Sequence, residues 1–191
     1  GVDVPVFIKN PINPELSLWI GAIERFYQAG ITKIGAIHRG FSSIQKTRFR
    51  NTPQWSIPIE LKKTFTEIPL ICDPSHIAGD REMILEISQK ATDLDYDGLM
   101  IETHRDPANA WSDAKQQVTP SRLGELLETV TFRNPTSKNK EFLSHLEEFR
   151  EEIDQVDQDL YEMIATRMNI VDKIGYYKRD NNVTVFQKNR W

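Results

Sequence analysis

A chain of 191 residues with 24 Lys+Arg against 28 Asp+Glu carries a formal charge of −4, with a pI near 5.6. That balance provides no global positive field for a polyanion and excludes a general binder of nucleic acid or acidic membranes. The mean hydropathy is −0.50, and no apolar run approaches the roughly 18 residues of a membrane span.

The elements follow in chain order. Gly1–Val6 has neither a basic start nor a long apolar core, so no signal peptide is expected. The apolar run at 4–9 predicts a first strand ending in Lys9. Leu16, Trp19, Ile20, Ile23 and Phe26 at helical spacing predict a helix over 14–29, closed by Gly30. A second strand is expected over 33–39, ending before Gly40, then a polar excursion over 45–54 and a short helix over 57–66. A third strand over 68–73 leads into a loop over 74–79, and a helix is expected over 81–94. The lone Cys72 in that strand excludes a disulfide framework and fits a reducing, cytoplasmic compartment. A fourth strand over 97–102, a long loop and a helix over 121–129 complete this part.

Repeated βα units with near-continuous apolar strands imply a parallel sheet covered by helices. Four units make half of an eight-fold barrel or a small open sheet. Lys9, Arg39, His76 and Glu102 all fall at or just past strand C-termini, which favours the barrel, where those ends converge on one face. His76, Glu102 and Asp113 are the candidate metal ligands. A neutral imidazole with two carboxylates suits a borderline-to-hard divalent ion such as Mn²⁺, Fe²⁺ or Zn²⁺. Lys9 and Arg39 add cations suited to a phosphate or carboxylate. The blander alternative leaves Glu102 and Asp113 solvated or paired with Arg105 and Lys115, and His76 a satisfied loop histidine. Arg48 and Arg50 read as solvated loop residues rather than phosphate contacts.

The elements Cys72-Asp-Pro-Ser-His76, Gly98-Leu-Met-Ile-Glu-Thr-His104, and Ala110-Trp-Ser-Asp113 with Gln117-Val-Thr-Pro120 together form a specific pattern. With Pro5-Val-Phe-Ile-Lys9 and His38-Arg-Gly40, they resemble the barrel-type 3-deoxy-D-arabino-heptulosonate 7-phosphate (DAHP) synthases over residues 2–133. The resemblance implies that His76, Glu102 and Asp113 hold a divalent metal ion, Mn²⁺ first, with Fe²⁺, Zn²⁺ or Co²⁺ as alternatives. It implies that Lys9 and Arg39 bind phosphoenolpyruvate, which condenses with erythrose 4-phosphate. The family's fourth ligand is a cysteine on an earlier strand, a position Cys72 does not match; Cys72 is expected to pack inside its strand. Asp73 and His104 stand beside candidate ligands and are candidates for orienting them, His104 being equally well a loop residue.

After a linker-like stretch at 134–140 the pattern changes. From Phe142 to about Arg179, apolar residues at three-four spacing predict one long amphipathic helix, acidic early and basic late, which needs partner helices. At about 100° per residue, Arg167 and Lys178 end roughly 20° apart along the apolar stripe, where an unpaired cation is costly and an anionic ligand is expected. Arg150 points roughly 80–100° away. The alternative is solvated helix-face charge.

Leu146 to Asp157, Ala165-Thr-Arg167, Ile174-Gly-Tyr-Tyr-Lys178 and Val185-Phe-Gln187 with Arg190 resemble the first helix and loop of the all-helical chorismate mutases. The resemblance implies an intertwined homodimer in which Arg150 enters the partner's site. Arg167, Lys178 and Arg190 then contact chorismate, with Gln187 where some members carry an acid.

The expected fold is α/β: the C-terminal half of a (β/α)₈ TIM barrel over 1–133, a linker over 134–140, and the start of an all-α chorismate mutase domain over 141–191. The implied function is a cytoplasmic, bifunctional DAHP synthase–chorismate mutase of aromatic amino-acid biosynthesis. Its partners are phosphoenolpyruvate, erythrose 4-phosphate, chorismate or prephenate, and a second copy of the chain. As two incomplete domains, the isolated chain is expected to be inactive in both reactions. The alternatives are a 3-deoxy-D-manno-octulosonate 8-phosphate or sialic-acid synthase, which share the barrel chemistry, and a non-catalytic dimerisation module.

Overall fold

The computed structural model describes residues 4–134 and 136–186. The chain divides into two compact units, Gly1–Pro135 and Thr136–Trp191. In the first, β1 (Val6–Lys9), β2 (Ile34–His38), β3 (Leu70–Cys72) and β4 (Gly98–Leu99) form one sheet in the order β1-β2-β3-β4. Every neighbouring pair is parallel. Each crossover therefore advances by one strand, as in the wall of a (β/α)₈ barrel; a doubly wound sheet reverses direction at a switch point. Phe7 sits in register with Gly35, where a Cβ would come within 2.6 Å of the Phe7 ring.

The helices cover this sheet because their apolar residues recur every three or four positions. α1 (Leu16–Gln28) buries Trp19 and Ile23, and α2 (Ser56–Thr64) buries Leu61. α4 (Ile84–Asp93) buries Ile84, Ile87 and Ala91. With Ile8, Ala36, Phe41, Leu70, Cys72, Ile77 and Tyr96, most of these form the main core, while Ile84 joins Val118 and Leu126 in a smaller one. Cys72 is fully buried, as expected of a strand-packed thiol. Truncating a side chain such as Trp19 to alanine here costs about 3–5 kcal/mol. α5 (Pro120–Thr129) starts with Pro120 in its first turn and with the Thr119 hydroxyl accepting from Arg122 N.

Three expectations are corrected. The stretch 74–79, read as a loop, contains α3 (Pro74–Ala78). The Asp73 carboxylate caps it by accepting from His76 N at 3.0 Å. Pro74 fits the first turn, and Gly79 closes it at φ +69. The fourth strand is shorter than 97–102: its last residue pair is Cys72 with Leu99, and after Met100 N donates to the Cys72 carbonyl at 2.7 Å the chain leaves the β3 ladder. Glu102 N instead donates to Ser75 Oγ, and Val118 N donates to the Glu102 carbonyl. The helix expected over 81–94 begins as a tighter 3₁₀ turn over Arg81–Met83, capped by Asp80, before α4.

The second unit is dominated by α6 (Lys140–Asp180), 41 residues long and so about 60 Å. Asn139 Oδ1 caps it by accepting from Glu141 N and Phe142 N at 3.0 and 3.2 Å. None of its residues is buried: Phe149, Ile153, Val156, Leu160, Met163, Ile170 and Ile174 all stand exposed along the helix. No helix among the described residues is long and apolar enough to cross a membrane.

Candidate functional site

The strand ends of the first unit gather a polar cluster around Asp73, whose side chain is only 1% exposed. Asp73 follows β3, and its N–H donates to the His38 carbonyl at the end of β2. Its Oδ2 accepts from Lys9 Nζ at 2.9 Å and lies 2.9 Å from His76 Nδ1. The histidine contact is a close approach that falls short of an aligned hydrogen bond. Burial alone would raise the Asp73 pKa; the contacts with His76 and Lys9 outweigh it and hold the carboxyl below its usual range. One carboxylate oxygen thus links the β1 cation to the α3 imidazole and leaves His76 Nε2 facing the other way.

His76 Nε2 lies 3.7 Å from Glu102 Oε1. His76, Glu102 and Asp113 each offer one ligand atom, and these atoms lie within 4.8 Å of one another. The donor set fits a divalent cation, because each residue is held by one atom and offers another. His76 faces Asp73 through Nδ1. Glu102 Oε2 accepts from Gln116 Nε2 at 2.7 Å. Asp113 Oδ1 accepts from Arg50 Nη1 at 2.5 Å, and that guanidinium holds the Asp113 carboxyl below its ordinary pKa. Asp113 also sits at φ +50, a left-handed conformation that aspartate tolerates better than most residues.

Arg39 follows β2. Its N–H donates to the buried Asn10 Oδ1 at 2.6 Å. Its Nε is buried with no hydrogen-bond partner among the described residues. Gly40 makes the turn at φ +80, where a Cβ would meet the Asn51 carbonyl oxygen at 2.6 Å. Beneath it, His38 is fully buried, and burial lowers its pKa to about 4. A neutral imidazole beside the Pro53 carbonyl at 2.7 Å must donate from Nε2, so Nδ1 accepts from Tyr96 Oη at 2.9 Å.

The structure brings Asp73, His76, Glu102 and Asp113 together, with Lys9 joined through Asp73. The pairings with Arg105 and Lys115 do not form: Glu102 meets Gln116 and His76, and Asp113 meets Arg50. Arg50, read from sequence as solvated, belongs to the cluster, whereas Arg48 pairs with Glu86. His104 is occupied within its own loop, with Nδ1 against Asp106. Gln116 was not foreseen, since Lys115-Gln-Gln117 has the look of a solvated turn.

In the second unit, α6 carries Arg150, Arg167 and Lys178. At 1.5 Å per residue, Arg150 and Arg167 are about 25 Å apart along the axis, and Arg167 and Lys178 about 16 Å. Arg150 pairs with Glu147 at 3.3 Å. Lys178 Nζ donates to the Val185 carbonyl at 2.8 Å. Gln187 and Arg190 lie outside the described residues.

A sequential parallel βα array with its polar groups at the strand C-termini gives the first unit the architecture of part of a (β/α)₈ barrel. More particularly, the chain belongs to the DAHP synthetase I family, whose model matches residues 1–135. The chorismate mutase type II model matches residues 149–191. The phospho-2-dehydro-3-deoxyheptonate aldolase of Thermotoga maritima is 30% identical over 127 residues, covering 66% of this chain and 37% of that protein. The 2-dehydro-3-deoxyphosphooctonate aldolase of Polaromonas naphthalenivorans is 31% identical over 91 residues, covering 42% of this chain and 32% of its own. The crystal structure of the Thermotoga maritima DAHP synthase superposes with a TM-score of 0.61 at 28% identity, covering 66% of this chain and 36% of that one. The chain thus spans about a third of the length of these relatives.

Proposed function

We propose that the first unit supplies the metal- and phosphoenolpyruvate-binding part of a DAHP synthase, joined to part of a chorismate mutase, in aromatic amino-acid biosynthesis. The observation that carries this reading is the convergence of His76, Glu102 and Asp113 within 4.8 Å of one another in a chain of this family. These three residues would hold the divalent ion, Mn²⁺ in the first instance. When bound, such an ion supplies Lewis acidity toward the aldehyde oxygen of erythrose 4-phosphate.

The chain's own cations bind and orient the anionic substrate. Lys9 gives one N–H to Asp73 and, with its side chain 39% exposed, keeps others for a substrate phosphate or carboxylate. The buried Arg39 Nε is a donor awaiting an acceptor, and an anionic substrate satisfies it. Together they orient phosphoenolpyruvate so that its C3 bonds to the aldehyde carbon while water adds at C2 and inorganic phosphate leaves. The longer match to the DAHP enzyme and the mutase match favour this over octulosonate phosphate synthesis.

In the second unit, Arg150, Arg167, Lys178, Gln187 and Arg190 are the proposed chorismate contacts. Because Arg150 and Arg167 stand so far apart on one helix, a compact site needs a second copy of the chain, paired through the exposed α6 stripe. The test is calorimetric titration with phosphoenolpyruvate in the presence of Mn²⁺. The chain should bind about one equivalent, and Arg39→Ala should weaken binding at least tenfold. Equal binding by that variant would remove Arg39 from the site.

A further inference from the structure

Gln116 is among the few fully buried polar side chains of the first unit, 1% exposed, and the chemistry above leaves it unused. It stands between two candidate ligands from different loops. Its Oε1 accepts from Arg50 Nη1 at 2.6 Å, and its Nε2 donates to Glu102 Oε2 at 2.7 Å. Arg50 Nη1 in turn donates to Asp113 Oδ1 at 2.5 Å. A continuous hydrogen-bonded chain therefore runs from Glu102 through Gln116 and Arg50 to Asp113. The backbone closes the same loop, with Gln116 N donating to the Asp113 carbonyl at 3.0 Å.

Chemistry fixes the orientation of the amide. A guanidinium only donates and an ionised carboxylate only accepts, so the oxygen must face Arg50 and the NH₂ must face Glu102. Few side chains meet both demands at this reach. Glutamate cannot donate to Glu102, leucine can serve neither partner, and asparagine is one methylene too short to span both.

We propose that Gln116 is a positioning residue of the metal centre. It holds Glu102 by Oε2, so that Oε1 faces His76. Through Arg50 it ties that carboxylate to Asp113, presetting two ligands from separate loops for one divalent cation. This inference rests on the metal reading above. Without Gln116 the Glu102 side chain regains rotamer freedom, and that freedom must be lost again when a cation binds. Outer contacts of this kind change metal affinity by about 10- to 100-fold when removed.

The experiment is calorimetric titration of the 191-residue chain with MnCl₂, comparing the unmodified protein with Gln116→Leu and Gln116→Asn, alongside thermal unfolding of each metal-free protein. The unmodified chain should bind one Mn²⁺. Gln116→Leu should keep that stoichiometry while its Kd rises about 10- to 100-fold. Gln116→Asn keeps an amide in the buried position and serves if the leucine variant does not fold; its Kd should rise at least fivefold. Affinities within twofold of the unmodified chain overturn the proposal and leave the metal reading standing. A lowered Tm with unchanged Mn²⁺ affinity makes Gln116 a structural amide only and overturns it too. No Mn²⁺ binding by the unmodified chain overturns both readings together.

Discussion

Gly79 is the position where a single methyl group should do most damage per atom. It closes α3 at φ +69, and a Cβ there would lie 2.5 Å from Arg50 Cβ. Two terms therefore add in Gly79→Ala. An alanine in left-handed geometry costs about 1–2 kcal/mol. Overpacking against a backbone-anchored neighbour costs about 1–3 kcal/mol. The smaller entropy of the unfolded alanine chain offsets about 0.4–1 kcal/mol of this. A net loss of about 1–4.6 kcal/mol follows, centred near 3 kcal/mol. Relief by movement is restricted, because Arg50 N donates to the Ala78 carbonyl and Asn51 N to the Ile77 carbonyl, each at 3.2 Å.

The measurement is urea unfolding followed by the fluorescence of the barrel unit's tryptophans, of which Trp19 is fully buried. The midpoint should fall by about 1–2 M at the urea slope of a small domain. The control is Gly124→Ala in α5, where a Cβ meets nothing within 4 Å and φ is not left-handed. There the same substitution should stabilise by about 0.5–1 kcal/mol through helix propensity. A Gly79→Ala chain as stable as the unmodified protein, or a Gly124→Ala chain destabilised as much as Gly79→Ala, would refute the reasoning.

Other consequences follow from the same contacts. His38, with its pKa near 4 when folded against 6.5 as a free side chain, binds fewer protons in the folded state. Stability should therefore be full above pH 6.5 and fall as pH drops toward 4, by about 3 kcal/mol from this group; a His38 titration midpoint near 6.5 by NMR would contradict its burial. Leu160→Asp on the exposed α6 stripe should turn a dimer into a monomer in sedimentation equilibrium, with little effect on urea unfolding of the first unit. A monomeric unmodified chain at high concentration would remove the proposed pairing. Asp73→Asn removes the negative charge and the carboxylate oxygen that accepts from Lys9 and faces His76, and should weaken both Mn²⁺ and phosphoenolpyruvate binding about tenfold or more. Loss of only one of the two would show that the shared oxygen does not couple them.

Much of the fold was legible because periodicity is local. Leu16, Trp19, Ile20, Ile23 and Phe26 mark the inner face of α1 in sequence, and Trp19 and Ile23 are its buried residues. The residues Asp73, Pro74 and Gly79 carry helix signals, a cap, a first-turn proline and a closing glycine. Yet five helical residues make too short a period to register, so α3 read as a loop. His76, Glu102 and Asp113 stood out because strand ends are countable along the chain.

Arg50 and Gln116 did not stand out, since they meet across 66 positions and each sits in a polar stretch without periodicity. The left-handed turn at Gly79 and the packing of the Arg50 segment on α3 bring them together, and neither is written in local composition. On α6 the stripe was fully visible in sequence, but a stripe states only that something covers it.

The proposed metal centre is tested most directly by electron spin-echo modulation of bound Mn²⁺. One Mn²⁺ per chain should show coupling to a directly bound imidazole ¹⁴N, and both the coupling and the tight binding should vanish in His76→Ala. Undiminished binding in His76→Ala, or bound Mn²⁺ with no nitrogen coupling in the unmodified chain, would contradict the assignment of His76, Glu102 and Asp113 as its ligands.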